Sequence, residues 1–139
     1  MFGITVRRDG GPHVLQGAIV GQNLLGDADG APGREVVRPD LFVAVAAGDF
    51  EHHWFVELDM GTETIGRRLT KCAQYEAYYR SGSEQAAHDL FPRVVWAVPN
   101  DRLADELQAR IHHARRLTRD LFAVATHNEL LAMICGGSP

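Results

Sequence analysis

The sequence predicts an α/β domain in which a mixed β-sheet carries helices on its faces. In the second half, short apolar runs alternate with longer segments of helical periodicity, an order typical of parallel strands joined by helical crossovers. The first half has β-rich runs joined by turn residues, which favours antiparallel pairing. A chain of 139 residues has the usual size of one domain. We therefore expect residues 1–139 to form a single domain.

Composition and charge limit the function classes. The formal net charge is −4, which argues against a uniformly basic surface that coats nucleic acid, so any DNA contact should be local or metal-assisted. No apolar run reaches the length of a membrane span, and the first residues lack the pattern of a secretory signal. Cys72 and Cys135 have no Cys-x-x-Cys spacing and are expected to be buried free thiols. These features predict a soluble, cytoplasmic domain without a membrane partner.

The first 35 residues are predicted to form a hairpin and a loop ahead of the main core, which spans 36–134. Residues 2–8 and 12–20 are β-rich and flank two glycines that suit a tight turn. Residues 21–33 have turn chemistry without a sustained period. Their short Asp-rich run lacks the remaining ligands of a calcium loop, so we do not assign calcium binding.

Two β-rich runs, 36–46 and 52–60, are predicted to pair antiparallel. Alternate side chains of a strand share one face. Glu57 and Asp59 therefore point to the same side of the second strand, and Asp40 lies on the corresponding face of the first. The alternation predicts that carboxylates gather on one face of the sheet.

Helices and strands alternate through the rest of the chain. Thr62 is expected to cap the first long helix, whose apolar spacing continues to about Arg80. A buried strand, a helix capped by Asn100, another strand and a final helix should follow. The predicted bounds of these elements are Arg93–Val98 for the first strand, Leu121–Ala125 for the second, and Thr126 to about Gly136 for the last helix with its capping box.

The grouped carboxylates are the first candidate for chemistry. Buried carboxylates that face one another repel, and a divalent cation would offset that cost. Mg²⁺ commonly binds through one or two carboxylates together with water and substrate phosphate, so Asp40 and Glu57 make a sensible pair of ligands. Mn²⁺ accepts similar oxygen ligands. The alternative is a sheet end at which the acids are simply hydrated.

A polar stripe on the first long helix is the second candidate. Lys71, Gln74 and Tyr78 have i, i+3 and i+7 spacing and share one side of the helix. A lysine beside a metal-bound phosphate can neutralise developing charge or orient water, and a glutamine can hold a water molecule. The alternative is an ordinary solvated helix flank.

These residues together resemble the replication-relaxation proteins of the PD-(D/E)XK nuclease-like superfamily. The resemblance runs over about residues 36–134. It rests on Arg38-Pro39-Asp40, Phe55-Val56-Glu57-Leu58-Asp59, Gly61-Thr62-Glu63, and Lys71 with Tyr75 and Tyr78. It implies a restriction-endonuclease-like fold and a role in plasmid or mobile-element replication and DNA relaxation. Family members usually carry a winged-helix region upstream, which this chain is expected to lack.

The resemblance also implies a set of catalytic residues. Asp40 matches the Pro-Asp motif and Glu57 the acidic position of (D/E)XK, so both would ligate Mg²⁺ or Mn²⁺. Asp59 occupies the position of the catalytic lysine, and Lys71 on the following helix is the candidate replacement. The full candidate set is Asp40, Glu57, Asp59, Lys71, Gln74 and Tyr78.

Three functions are compatible with these features. The first is a metal-dependent DNA endonuclease that uses Asp40, Glu57 and Lys71. The second is a nuclease-like module without catalysis that binds DNA or recruits replication proteins, and Asp59 at the lysine position motivates it. The third is a protein-interaction or homodimer module. DNA processing or binding is preferred to interaction alone.

Overall fold

The computed structural model describes residues 4–6, 19–21, 37–47 and 49–136. Within these ranges the chain forms strands, α-helices and a short 3-10 helix around one sheet. The strands are β1 (Ile4–Val6), β2 (Ile19–Gly21), β3 (Leu41–Ala47), β4 (Phe50–Leu58), β5 (Arg93–Val98) and β6 (Phe122–Thr126). The α-helices are α1 (Ile65–Ser81), α2 (Ser83–His88), α3 (Asp101–His113) and α4 (Leu130–Gly136), and the 3-10 helix is Arg119–Leu121.

The sheet is mixed, which confirms the predicted class. Its strand order is β2-β3-β4-β5-β6, with β1 also paired to β4. Strands β2, β3 and β4 pair antiparallel, and β4, β5 and β6 pair parallel. Helix α1 leads from β4 towards β5, and α3 leads from β5 towards β6. The parallel half therefore places the carboxyl ends of three strands at one edge of the sheet.

The described residues do not show the strand pairing of the predicted N-terminal hairpin. In the described residues β1 pairs with β4, and β2 pairs with β3. Strand β4 is nine residues long, and its pairing with β5 begins only at Trp54. Its first residues therefore leave an edge open on that side, and β1 completes the hydrogen bonding there. The predicted turn and most of the predicted loop lie outside the described residues.

Two apolar clusters cover the two faces of the sheet. Phe55, Val94 and Trp96 belong to the cluster beneath α1 and α3. Trp54 and Val56 belong to the opposite cluster, to which Ile134 of α4 contributes. The predicted alternation along β4 is therefore correct, and it directs Glu57 and Asp59 towards α1.

The first long helix begins two residues later than predicted. Thr64, not Thr62, is the N-cap, and its side chain accepts a hydrogen bond from the backbone N–H of Arg67. Gly61 has a φ of +83°, so the chain turns sharply between β4 and the cap. Gly82 ends the helix in the left-handed conformation, close to the predicted end near Arg80. The short helix α2, which follows directly, was not predicted.

The elements near the C-terminus largely match their predictions. Asn100 caps α3 by accepting from the backbone N–H of Leu103. The side chain of Glu129 accepts from the backbone N–H of Thr126, which is half of a capping box, although α4 is regular only from Leu130. Cys72 is buried and Cys135 half-buried, and both are free, so burial was predicted correctly for the first thiol alone.

Candidate functional site

Asp40 and Glu57 meet at the end of β4. Asp40 directly precedes β3, and its Oδ2 accepts a hydrogen bond of 2.8 Å from the backbone N–H of Leu58. Leu58 is the next residue after Glu57, so this bond fixes the exposed carboxylate beside the buried one. The charge of Asp40 contributes to raising the pKa of Glu57. The structure thus brings together the two carboxylates that the strand alternation predicted.

Glu57 is only 2% exposed, and side chains of α1 hold both of its oxygens. Nζ of Lys71 lies 2.8 Å from Oε1, and the hydroxyl of Tyr75 donates a hydrogen bond to Oε2. Burial raises the pKa of Glu57 above its ordinary value, while the hydrogen bonds of Lys71 and Tyr75 and the charge of Lys71 oppose that rise. Glu57 is therefore a buried carboxylate whose charge a helix-borne lysine balances.

Lys71 lies between the buried carboxylate of Glu57 and the solvent. Burial lowers the pKa of Lys71. Its hydrogen bond to Glu57 and the charges of Glu57, Asp40 and Glu63 raise the pKa by more than burial lowers it, so the pKa lies above its ordinary value. The lysine therefore stays cationic. Its side chain is 32% exposed, so the ammonium group joins the buried carboxylate to the surface.

Asp59 has separate partners. Its carboxylate receives hydrogen bonds from both Nε and Nη2 of Arg68, and its Oδ1 also accepts from the backbone N–H of Gly61 at 2.6 Å. Burial would raise the pKa of Asp59, but the Arg68 and Gly61 hydrogen bonds and the Arg68 charge bring the pKa below its ordinary value. Asp59 therefore joins the end of β4 to α1 through a buried ion pair.

The residues of the predicted helix stripe do not share one partner. Lys71 reaches Glu57, whereas the hydroxyl of Tyr78 donates to Oε1 of Glu84 at 2.6 Å. Gln74 is half-buried, and its side chain takes part in none of the side-chain hydrogen bonds found among the described residues. Lys71 is the stripe residue whose contact with the buried carboxylate the described part of the chain shows.

Sequence reasoning gave no site role to several residues around this site, although Tyr75 belongs to the quoted family signature. Tyr75 and Arg68 share the buried face of α1 with Cys72, at i, i+4 and i+7 spacing. Polar residues on the helix face that packs against the core were a signal that could have identified them from the sequence. His127 was also missed: its Nε2 lies 2.8 Å from the backbone oxygen of Asp59 and 3.1 Å from that of Ala97. Because carbonyl oxygens only accept, Nε2 carries the proton.

Asp40 and Glu57 are the residues that could take a metal ion. In the described parts of the chain, no group of three or more His, Cys, Asp and Glu side chains is arranged to hold one. Two carboxylates suffice for Mg²⁺ when water and a phosphate complete the shell. No helix in the same parts is long and apolar enough to cross a bilayer.

Fold and site together define a mixed α/β domain with a buried carboxylate, a lysine and a tyrosine at the carboxyl ends of parallel strands. The family model described as replication-relaxation matches residues 13–94, more than half of the chain. The chain belongs to the replication-relaxation family. The matched region includes Asp40, Glu57 and Lys71. No curated protein and no solved structure matches the chain.

Proposed function

We propose that this chain is a DNA-processing domain that acts in plasmid or mobile-element replication and uses Asp40, Glu57 and Lys71 for metal-dependent phosphodiester cleavage. Family membership supports the replication role. The mixed sheet with helices on both faces is compatible with one restriction-endonuclease-like domain. The expected partners are DNA and other replication proteins in the cytoplasm.

One observation carries the proposal. Three polar side chains, each from a different segment of the chain, converge at one end of β4. Asp40 is fixed there by the N–H of Leu58, and Lys71 reaches the same place from α1 through its contact with Glu57. Carboxylates next to a lysine, at an edge where parallel strands end, are suited to binding a cation together with a phosphate.

The residues fit a divalent cation by their chemistry. An ionised carboxylate offers about four acceptor positions, and the contacts of Glu57 with Lys71 and Tyr75 use two of them. Asp40 is exposed and uses one oxygen for the N–H of Leu58. When bound, Mg²⁺ or Mn²⁺ would activate water and polarise a phosphate.

The chain's own residues have distinct tasks in this proposal. Asp40 and Glu57 supply the oxygen ligands. Lys71, cationic and one-third exposed, binds the phosphate and offsets its developing charge. Tyr75 holds Glu57 in position through its hydroxyl. Asp59 stays out of the reaction because Arg68 and Gly61 occupy its carboxylate.

A module without catalysis is the second candidate, and Asp59 specifically favours it. The (D/E)XK pattern has a lysine at this position, and here the position holds a carboxylate bound to buried Arg68. Lys71 would be the only replacement, and its ammonium group is already paired with Glu57. A domain with this arrangement could bind DNA or replication proteins without cleaving DNA.

Cleavage of supercoiled, linear and single-stranded DNA with Mg²⁺ or Mn²⁺ tests the proposal. Wild type is compared with Asp40→Asn, Glu57→Gln and Lys71→Met, each checked for folding by circular dichroism. Asp105→Asn, an exposed change on α3, is the matched control. We expect cleavage by wild type and the control, and at least a hundredfold loss in the three site variants.

Two other outcomes are informative. Wild-type binding to DNA without cleavage on any substrate would select the non-catalytic module. Cleavage that persists in Asp40→Asn and Glu57→Gln would reject the assigned ligands.

A further inference from the structure

A cavity lies on the same sheet face as the candidate site, beneath α2. Its volume is about 410 Å³, within the range of small-molecule pockets. Phe42, Phe55 and Pro92 provide apolar walls, and Ala87 lies at its α2 side. Phe55 precedes Glu57 by two residues on β4, so the cavity lies next to the candidate site.

A buried carboxylate faces this cavity. Glu84 lines it and is 6% exposed. Oε1 of Glu84 accepts from the hydroxyl of Tyr78 at 2.6 Å, and Oε2 lies 2.8 Å from Nδ1 of His88. The histidine is itself 60% exposed, so it covers the carboxylate from the solvent side and can move away without disturbing the core.

The ionisable side chains of the lining are carboxylates and imidazoles. Glu84 and Asp89 supply two carboxylates, and His53 and His88 supply two imidazoles. None of the described residues that line the cavity is a lysine or an arginine. A histidine carries a full charge only when it is protonated, so no described lining residue gives Glu84 a cation whose charge is independent of pH. Placing a cation beside it would offset the cost of burying that charge.

The aromatic walls define the rest of the ligand. The rings of Phe42 and Phe55 lie 6.0 Å apart in an edge-on arrangement, and Phe55 also contacts Phe91 edge-on at 5.6 Å. Such faces accept a flat apolar group and also attract a nearby ammonium. The cavity therefore combines an apolar base with the buried carboxylate of Glu84.

We propose that this cavity is a binding site for a small organic cation, a protonated amine joined to a flat apolar body. The ammonium pairs with Glu84 and displaces His88, and the apolar body lies against Phe42 and Phe55. This inference goes beyond the proposed DNA chemistry and is independent of it, because Asp40, Glu57 and Lys71 do not line the cavity.

Binding of phenethylamine to the full chain is the direct test, followed at pH 8 by two-dimensional NMR and calorimetry. Two probes of similar size are the comparison: 2-phenylethanol, which is neutral, and 3-phenylpropanoate, which is an anion. We expect saturable millimolar binding of the amine, with shifts centred on His53, Glu84 and His88. The alcohol should bind at least tenfold more weakly, and the anion weakest of all.

Variants separate the charge from the cavity. Glu84→Gln removes the charge, and Ala87→Phe fills the opening without touching the hydrogen bonds of Glu84. Both should weaken amine binding at least tenfold, while Glu106→Gln, an exposed acid on α3, should not. If Glu84→Gln fails to fold, Ala87→Phe still decides. Equal binding of amine and alcohol, shifts centred elsewhere, no saturable binding, or full binding by folded Ala87→Phe would each overturn the proposal.

Discussion

Nζ of Lys71 lies 2.8 Å from Oε1 of Glu57, and through this contact α1 supplies the cation that a nearly inaccessible carboxylate requires. The pair is asymmetric, because the glutamate side chain is 3% exposed and the lysine side chain 32%. Breaking it from the lysine side leaves the buried charge behind, whereas breaking it from the glutamate side leaves a cation that water can reach.

Lys71→Met should therefore destabilise the domain. We expect a loss of about 1–3 kcal/mol in the free energy of unfolding at pH 7, because Glu57 keeps its burial and loses its charged partner. We expect a loss in the lower half of that range, because solvent screens the exposed side of the lysine. Urea unfolding measures the loss. Arg67→Met, an exposed change on the same helix, is the control, and an equal loss in both variants would contradict the assignment.

Tyr75 and Tyr78 should differ in their effect on Glu57. The hydrogen bond of Tyr75 lowers the pKa of Glu57, so Tyr75→Phe should raise that pKa further. Tyr78 donates to Glu84 instead, so Tyr78→Phe should leave the pKa of Glu57 unchanged. NMR titration of the glutamate side-chain carboxyls reports both values. A larger effect of Tyr78→Phe than of Tyr75→Phe on the pKa of Glu57 would contradict this assignment and support the predicted helix stripe.

The stability of the domain in acid should depend on Asp59. Its pKa is lowered from the ordinary value of 3.8 in the folded chain. The stability it contributes is therefore complete above that value and is lost as pH falls through the lowered folded pKa. At pH 7, Asp59→Asn leaves Arg68 without its charged partner and should cost about 3–5 kcal/mol. The difference between wild type and variant should shrink below about pH 4.

Denaturant unfolding from pH 7 to pH 2 measures this difference. Asp105→Asn is the matched exposed control. A difference that stays constant across the whole range would rule out a charge effect and leave only a packing effect at Asp59.

Glu76 joins α1 to the segment that follows α3. It is 5% exposed and accepts hydrogen bonds from the backbone N–H of Thr118 at 2.8 Å and from its hydroxyl at 2.7 Å. Thr118→Val removes the second bond and should cost about 1–2 kcal/mol. Thr70→Val removes an exposed bond within α1 and should cost less. Thermal unfolding compares the two variants.

The two thiols should react at different rates. Burial raises the pKa of Cys72 to about 12, and its side chain is 0% exposed, so it should react with a disulfide reagent only after unfolding. Cys135 is half-buried and should react first. The Cys135→Ser variant tests this, since rapid labelling of the native variant would show that Cys72 is accessible.

The sequence predicted the elements well where a single physical signal dominates. The run Arg93–Val98 is apolar at nearly every position and is the buried strand β5, with Asn100 capping the helix that follows. Alternation along β4 correctly directed Glu57 to the helical face. Local periodicity and capping chemistry determine such features without knowledge of distant contacts.

The rest depends on which distant group fills each position. Strand β1 pairs with β4 because that strand extends beyond β5, which no local pattern shows. Tyr75 donates to Glu57 and Tyr78 donates to Glu84, and the spacing along α1 alone does not show which carboxylate each hydroxyl meets. Asp59 was identified, but its partner Arg68 became evident only when the turn at Gly61 was known.

The pairing of β3 with β4 has a consequence for how the domain folds. Ala47 and Phe50 are partners in a tight antiparallel connection, so this hairpin closes a short loop at small entropic cost and can form early. The same register carries Asp40 to Leu58, so we expect a hairpin that forms early to place two acids together before α1 docks. In that order of events Lys71 would relieve the repulsion between the acids, and docking of the helix would be a charge-neutralising step.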